Sequence, residues 1–396
     1  MLDILIQNGT VVDGSGLHPR EVHVGITGDR ITVLTTKPCP AKTVIDATGL
    51  VVAPGFIDTH AHSEFSLLAD GRAEGKIAQG VTTEINGNCG LSAAPLYGES
   101  FERRESDMQE YHITERWHTF AEYFELLESR GIALNYATMC GHGNLRGSVV
   151  GYVDRPATTD ELEIMQDMVA GAMRAGARGI STGMIYPPGM YATMEELVLL
   201  MRTAGEHMPC RRVLYATHLR SEGDRLLEAI DEAIGIARHS GSVLHISHLK
   251  TSGEHNWHKA GAVVARIKAA FQSGLMMTAD RYPYIASSTD LDTVLPKWVF
   301  DGGITAEMER LADPGMRKKI IGEIELDEPV WGNILISSVC REQNVWMEGE
   351  TLEVIAEKLG KPPVDALIDL LLEEESRTAA IFFSMNEDNL KTFLRL

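Results

Sequence analysis

From Val51 onward the chain is dominated by seven short apolar runs, each ending in a polar or glycine-rich stretch and each followed by a longer amphipathic segment. The runs are Val51 to Asp58, Val81 to Asn86, Ala133 to Cys140, Ala177 to Gly183, Val213 to Thr217, Val243 to Ser247 and Leu275 to Asp280. Parallel strands buried on both faces have this composition. Their last positions are separated by 28, 54, 43, 34, 30 and 33 residues, close to or above the roughly 30 residues of a βαβ unit. This cadence predicts an α/β fold, a (β/α)8 barrel of the TIM type with one strand unaccounted for. No G-x-G-x-x-G follows any run, which counts against a doubly wound nucleotide-binding sheet.

The flanks read differently. Glu21 to Thr36 alternates apolar and polar residues about Gly28-Asp29, the pattern of a hairpin. Residues 1–52 are therefore expected to form the first part of a small β-module, and residues 53–396 the barrel. The Pro- and Gly-punctuated stretch from 288 to about 350 is expected to be an insertion over one barrel mouth. Helical periodicity returns over 351–376 with a break at Pro362-Pro363. Asn386 to Leu396 reads as a final helix, with Ser384 as its cap.

Composition narrows the function. With 36 basic against 56 acidic side chains the formal charge is −20, which opposes binding to nucleic acid and to anionic membranes. No apolar run reaches the roughly 18 to 20 residues of a membrane helix. The first residues carry no basic segment or cleavage pattern of a signal peptide, so the expected compartment is the cytoplasm. Five scattered cysteines (Cys39, Cys89, Cys140, Cys210, Cys340) without a C-x-x-C argue against a disulfide framework or a zinc ribbon. Oligomeric state leaves no signature.

The chemistry concentrates at strand ends. Of 14 histidines none lies beyond His258, and four end predicted strands: His60 and His62 in one H-x-H, His218, and His248. Residues i and i+2 of a strand project to one side, so an H-x-H pair can hold one ion at about 2.0 to 2.1 Å. Alone, that pair serves a metal or a structural hydrogen bond equally well. Histidine at three separate strand ends favours the metal, because the structural explanation must then hold three times over. Simple alternation points His245 to another face than His248. Cys89, in the loop after the second run, is either a thiolate ligand or a small buried cysteine; its place at the barrel mouth favours the ligand.

These residues resemble the N-acyl-D-amino-acid deacylases, or D-aminoacylases, of the amidohydrolase superfamily. The likeness runs through Ile6 to Gly16, Val52 to His62, Gly87-Asn88-Cys89-Gly90, Gly141 to Arg146, Ser181 to Gly189, Thr217 to Glu222 and Ile246 to Lys250. H-x-H marks only the superfamily, whereas the Cys89 loop together with Tyr186-Pro187-Pro188-Gly189 is far more specific.

The resemblance implies a TIM-type barrel beside a small β-sandwich module, and zinc-dependent hydrolysis of N-acyl-D-amino acids, small-molecule substrates. It implies a tight zinc site on Cys89, His218 and His248, and a weaker second site formed with His60 and His62. Lys250 and Tyr282, with Ser288, are implied to contact the substrate around its carboxylate and reacting carbonyl; Lys250 shares a strand side with His248, which supports this. Tyr191 and His142 are further substrate-binding candidates, as is Arg281. Many relatives carry a lysine at strand four, where this chain has Ile180-Ser181-Thr182-Gly183, in keeping with Cys89 as ligand.

The family's catalytic aspartate belongs to an eighth strand that the 396 residues do not reach. The expectation is that this residue, that strand and the end of the β-module lie outside this sequence, and no catalytic base is assigned within it. Two other readings stand beside the first. One is a cyclic-amide hydrolase resembling hydantoinases and dihydroorotases, disfavoured by Cys89 and the missing lysine. The other is a metal-binding scaffold without activity.

Overall fold

The computed structural model describes residues 1–208 and 213–396. The chain forms two compact units, Met1–Asp58 with Glu74–Thr83, and Thr59–Ala73 with Glu84–Leu396.

The first unit carries a four-stranded sheet in the order Arg30–Thr35, His23–Thr27, Leu2–Gln7, Ala41–Asp46. Leu2–Gln7 is central, antiparallel to His23–Thr27 and parallel to Ala41–Asp46. The hairpin about Gly28-Asp29 is present, with Thr27 paired to Arg30. Gly28 takes φ +59°, a conformation that side chains resist. The first apolar run is not one strand. Val51–Val52 pairs with Thr10–Val11, and a separate strand, Phe56–Asp58, follows Pro54-Gly55. Proline offers no N–H to a ladder, and a Cβ on Gly55 would lie 2.1 Å from Thr82 Oγ1, so the chain breaks there.

The second unit holds the parallel strands. Cys140–Gly141, Gly179–Gly183, Leu214–His218, Val243–Ile246 and Met277–Ala279 form one sheet in chain order, with every neighbouring pair parallel. Backbone bonds extend that order toward the N-terminus. Met139 N–H donates to Asn86 at 3.0 Å, and Ala61 N–H to Ile85 at 3.1 Å. The segments around His60, Cys89, His218 and His248 therefore follow one another along a single rim.

Helices Thr159–Ala175, Met194–His207, Leu226–Ser240 and Ala260–Gln272 connect the strands. Leu226–Ser240 shows the cause. Leu226, Ala229, Ile230, Ala233, Ile234 and Ala237 recur at helical spacing and are all buried, and the helix stops at Gly241 with φ +74°. Thr158 and Glu161 cap Thr159–Ala175 reciprocally. Ile180, Tyr215, Leu244 and Ile246 join these helices in one apolar core, each such side chain contributing about 1.5 to 3 kcal/mol on full burial.

The segment from 287 to 382 builds an antiparallel sheet with Ala379–Phe382 between Ser287–Asp290 and Ile334–Ser338. It has its own core, including Leu291, Ile320, Ile336, Leu352 and Leu367. The helix break expected at Pro362-Pro363 separates Leu352–Leu359 from Pro363–Glu374. The last helix, Glu387–Phe393, is capped by Asn386, whose side chain accepts from Asn389 N–H at 2.8 Å. That corrects the assignment to Ser384, whose carbonyl is taken by Gly253 N–H and Trp257 Nε1–H, each at 2.9 Å. No helix among the described residues is long and apolar enough to cross a membrane.

Candidate metal centre and active site

Cys89 is presented by a loop that only glycine can frame. Gly87 and Gly90 adopt φ +74° and +79°. A Cβ at Gly87 would stand 2.2 Å from Met139 O, and one at Gly90 2.7 Å from Gly183 N. Asn88 Nδ2 donates to Ile85 O at 2.9 Å and Gly90 N–H to Ser181 Oγ at 3.0 Å. Cys89 itself, at φ +53°, and His248, at φ +38°, hold left-handed backbone conformations unusual for residues with side chains. Such strain gathers at functional sites.

Two groups of donor atoms converge, each with all its atoms within 4.8 Å of one another: His60, His62 and Cys89, and Cys89, His218 and His248. Cys89 Sγ, shared by both, lies 3.3 Å from His60 Nε2 and 3.4 Å from His248 Nε2. The second group is wholly buried, whereas His60 is half-buried and His62 is exposed. The His218 and His248 rings meet edge to face at 4.4 Å.

Electrostatics favour the neutral form of His218 and His248. Burial first, and the Lys250 ammonium next, push His248 down to about 3. Burial likewise lowers His218, and it raises the Cys89 thiol. Neutral imidazole is the form that ligates a metal, and a coordinated thiol gives up its proton even where burial would retain it. Neither ring nitrogen of His218 makes a hydrogen bond, although both are buried. A buried imidazole without a hydrogen bond, grouped with a cysteine and a second histidine, is a donor set whose chemistry fits a metal ion.

Two carboxylates that the sequence reading did not place in the site support it. Glu222 has Oε1 3.0 Å from His248 Nδ1, accepts a short hydrogen bond from Lys250 Nζ, and has Oε2 3.5 Å from His218 Nε2. Burial would raise its carboxyl, but His218, Lys250 and His248 hold it well below the usual range. Asp280 Oδ2 lies 2.9 Å from His60 Nδ1 and 2.8 Å from His245 Nε2, and Oδ1 accepts from the His248 backbone N–H. His245 thus turns toward the site, correcting the expectation from simple alternation, which the left-handed turn at His248 breaks. The sequence signals were present: Glu222 stands four residues after His218, and Asp280 ends the seventh run.

The remaining candidates divide. Lys250, Tyr282 and Ser288 line the same cavity as the histidines. Lys250 is buried, 5.7 Å from the Tyr282 ring. The Tyr282 hydroxyl is buried without a partner, and Ser288 is exposed on its strand, paired with Ile381. Tyr186, of the Tyr186-Pro187-Pro188-Gly189 motif, meets the His218 ring edge to face with centroids 5.0 Å apart and shares a 2.9 Å bond with Thr289. His142 is not brought to the cavity; it is buried with Nε2 2.8 Å from Glu196 Oε1. Tyr191 packs on the core of the 287–382 segment instead. Arg281 stacks on Tyr282 at 4.3 Å and donates to Tyr284 O at 2.8 Å. Cys140 lies in the helix-facing core, Cys39 and Cys340 are free, and Cys210 falls outside the described residues.

The parallel strands carry histidines and a cysteine along one rim. The profile of the Amidohydrolase family matches residues 43–374, and the chain belongs to that family. It is 39% identical over 290 residues to a D-aminoacylase of Alcaligenes xylosoxydans xylosoxydans, covering 73% of this chain and 59% of that protein. The chain thus spans under two thirds of that relative's length. Among solved structures it resembles an N-acyl-D-glutamate deacylase from Bordetella bronchiseptica complexed with zinc and a phosphonate inhibitor (TM-score 0.81, 30% identity, 100% of this chain and 74% of that one). It also resembles a D-aminoacylase studied for its binuclear metal centre (TM-score 0.79, 32% identity, 99% and 73%). The fold is the TIM-type barrel of these amidohydrolases, and the neighbouring structures carry a metal centre.

Proposed function

We propose that this chain carries the metal and substrate site of a zinc-dependent enzyme that hydrolyses N-acyl-D-amino acids to a carboxylate and a free D-amino acid. The observation that carries this is the buried Cys89, His218 and His248 triad with Lys250 beside it, in a chain related to D-aminoacylase and to a zinc-containing N-acyl-D-glutamate deacylase. Cys89, His218 and His248 would hold one ion tightly because all three are buried; His60 and His62, more open, would form a weaker second site with the same thiolate. When bound, zinc supplies a Lewis acid and lowers the pKa of water to about 7.

The chain's own groups do the positioning. Lys250 offers a buried ammonium to the substrate's carboxylate, the unpartnered Tyr282 hydroxyl a further donor, and Ser288 a hydroxyl at the cavity edge. Tyr186 walls the ligand cluster from solvent. Asp280, engaged by His60, His245 and the His248 backbone, anchors ligands rather than moving protons. The discriminating experiment compares N-acetyl-D-amino acids, their L-enantiomers and a hydantoin as substrates of the zinc-loaded full-length gene product. D-selective release of free amino acid supports the proposal. Hydantoin opening replaces it with the cyclic-amide reading, and zinc binding without turnover of any substrate with the scaffold.

A further inference from the structure

Glu222 lies at the meeting point of the ligand cluster and the lysine, and we propose that it is the positioning residue that fixes the tautomer of His248 by competing with Lys250 for its Nδ1. The proposal rests on the ligand set put forward above and deepens it.

Lys250 Nζ stands 2.7 Å from His248 Nδ1, and Glu222 Oε1 stands 3.0 Å from the same nitrogen. The two neighbours make opposite demands. An ammonium has only protons to give, so a bond from Lys250 would make Nδ1 an acceptor and move the ring proton to Nε2. Nε2 is the atom that faces Cys89 Sγ at 3.4 Å, and a protonated Nε2 has no lone pair for a metal. A carboxylate only accepts, so with Glu222 as its partner Nδ1 would carry the proton and Nε2 would keep its lone pair free. It also binds the Lys250 ammonium directly. Among the described residues Glu222 is the one acidic partner of Lys250, so no other carboxylate would restrain the lysine in its absence.

The loop is built to keep Glu222 there. Glu222 follows Leu214–His218, and its carbonyl accepts from Ser252 N–H at 2.7 Å, which ties the loop after one strand to the loop after the next. The carboxylate is itself largely buried, at 14% exposure against 3% for the Lys250 side chain, so water does not replace either partner.

The test is zinc retention during dialysis against a chelator, measured by elemental analysis, in wild type, Glu222→Gln, Lys250→Met and the double variant, with circular dichroism to verify folding. Glu222→Gln should weaken zinc binding by roughly 10- to 100-fold, the usual effect of removing a group that orients a ligating histidine. Lys250→Met alone should retain zinc. In the double variant retention should recover most of the way, because the ammonium that imposes the wrong tautomer is gone. Loss as large in the double variant as in Glu222→Gln would overturn the proposal, as would full retention in Glu222→Gln. A merely structural role predicts that the second substitution adds damage. A wild-type chain that holds no zinc would overturn the ligand set and this assignment with it, whereas zinc binding by the full-length gene product without deacylase activity would sink the substrate reading alone.

Discussion

The Asp280 carboxylate stands 2.9 Å from His60 Nδ1 and turns the opposite nitrogen of that ring toward Cys89. A residue at the end of the seventh strand thereby orients a ligand candidate that follows the first. Burial would raise the Asp280 carboxyl, but hydrogen bonds from His245 and His60 hold it far below the ordinary range, so it is an anion across the working pH scale. Asp280→Asn should leave the first equivalent of zinc in place and weaken the second by roughly 10- to 100-fold. Titration of the metal-free protein followed by calorimetry reads both steps. Unchanged affinity for the second equivalent would remove Asp280 from that role.

The buried triad makes a sharper demand. Cys89→Ala and His218→Ala should each lose most of the zinc found in the wild type, because each removes a direct ligand of the tight site. His60→Ala should lose less. Elemental analysis showing unchanged zinc in the first two variants would end the ligand set.

Lys250→Ala should mainly weaken substrates that bear a free carboxylate. Losing a hydrogen bond to a charged group costs about 1.5 to 3 kcal/mol, or roughly 10- to 150-fold in kcat/KM. An amide-capped substrate serves as the control. If it suffers equally, Lys250 does not read the carboxylate.

Glu196 separates structure from function at His142. Its two oxygens lie 2.8 Å from His142 Nε2 and 2.6 Å from Arg146 Nη1, and all three side chains are buried. Glu196→Ala strands the arginine and should cost about 3 to 5 kcal/mol of stability, the range for breaking a buried ion pair from one side. Denaturant titration checks this; a loss under about 1 kcal/mol would mean that the network is not the strut it looks to be.

Glu307 gives a pH signature of opposite sign to an ordinary ion-paired acid. Burial raises its carboxyl despite the hydrogen bond from Ser376. A raised acid favours folding below its unfolded pKa and loses that contribution as pH rises through the folded value. Glu307→Gln keeps the acceptor and removes the charge, so it should raise Tm at pH 8 and leave it unchanged at pH 4. Equal shifts at both pH values would contradict this.

The sequence by itself determined the strand cadence, the hairpin about Gly28-Asp29 and the residues Cys89, His218, His248 and Lys250. These were legible because buried parallel strands require unbroken apolar runs, and because side chains at strand ends keep a fixed place relative to those runs. Tertiary structure alone decided the rest. Alternation misplaced His245 because a left-handed backbone at His248 breaks the period, and a local pattern does not carry a φ angle. Gly141-His142 resembles a substrate loop in sequence, yet His142 is claimed by Glu196, 54 positions away. Glu222 and Asp280 owe their roles largely to distant partners, His248 lying 26 residues from Glu222 and His60 220 from Asp280. One carboxylate in a sequence looks like another; what distinguishes these two is which nitrogen burial leaves them to satisfy.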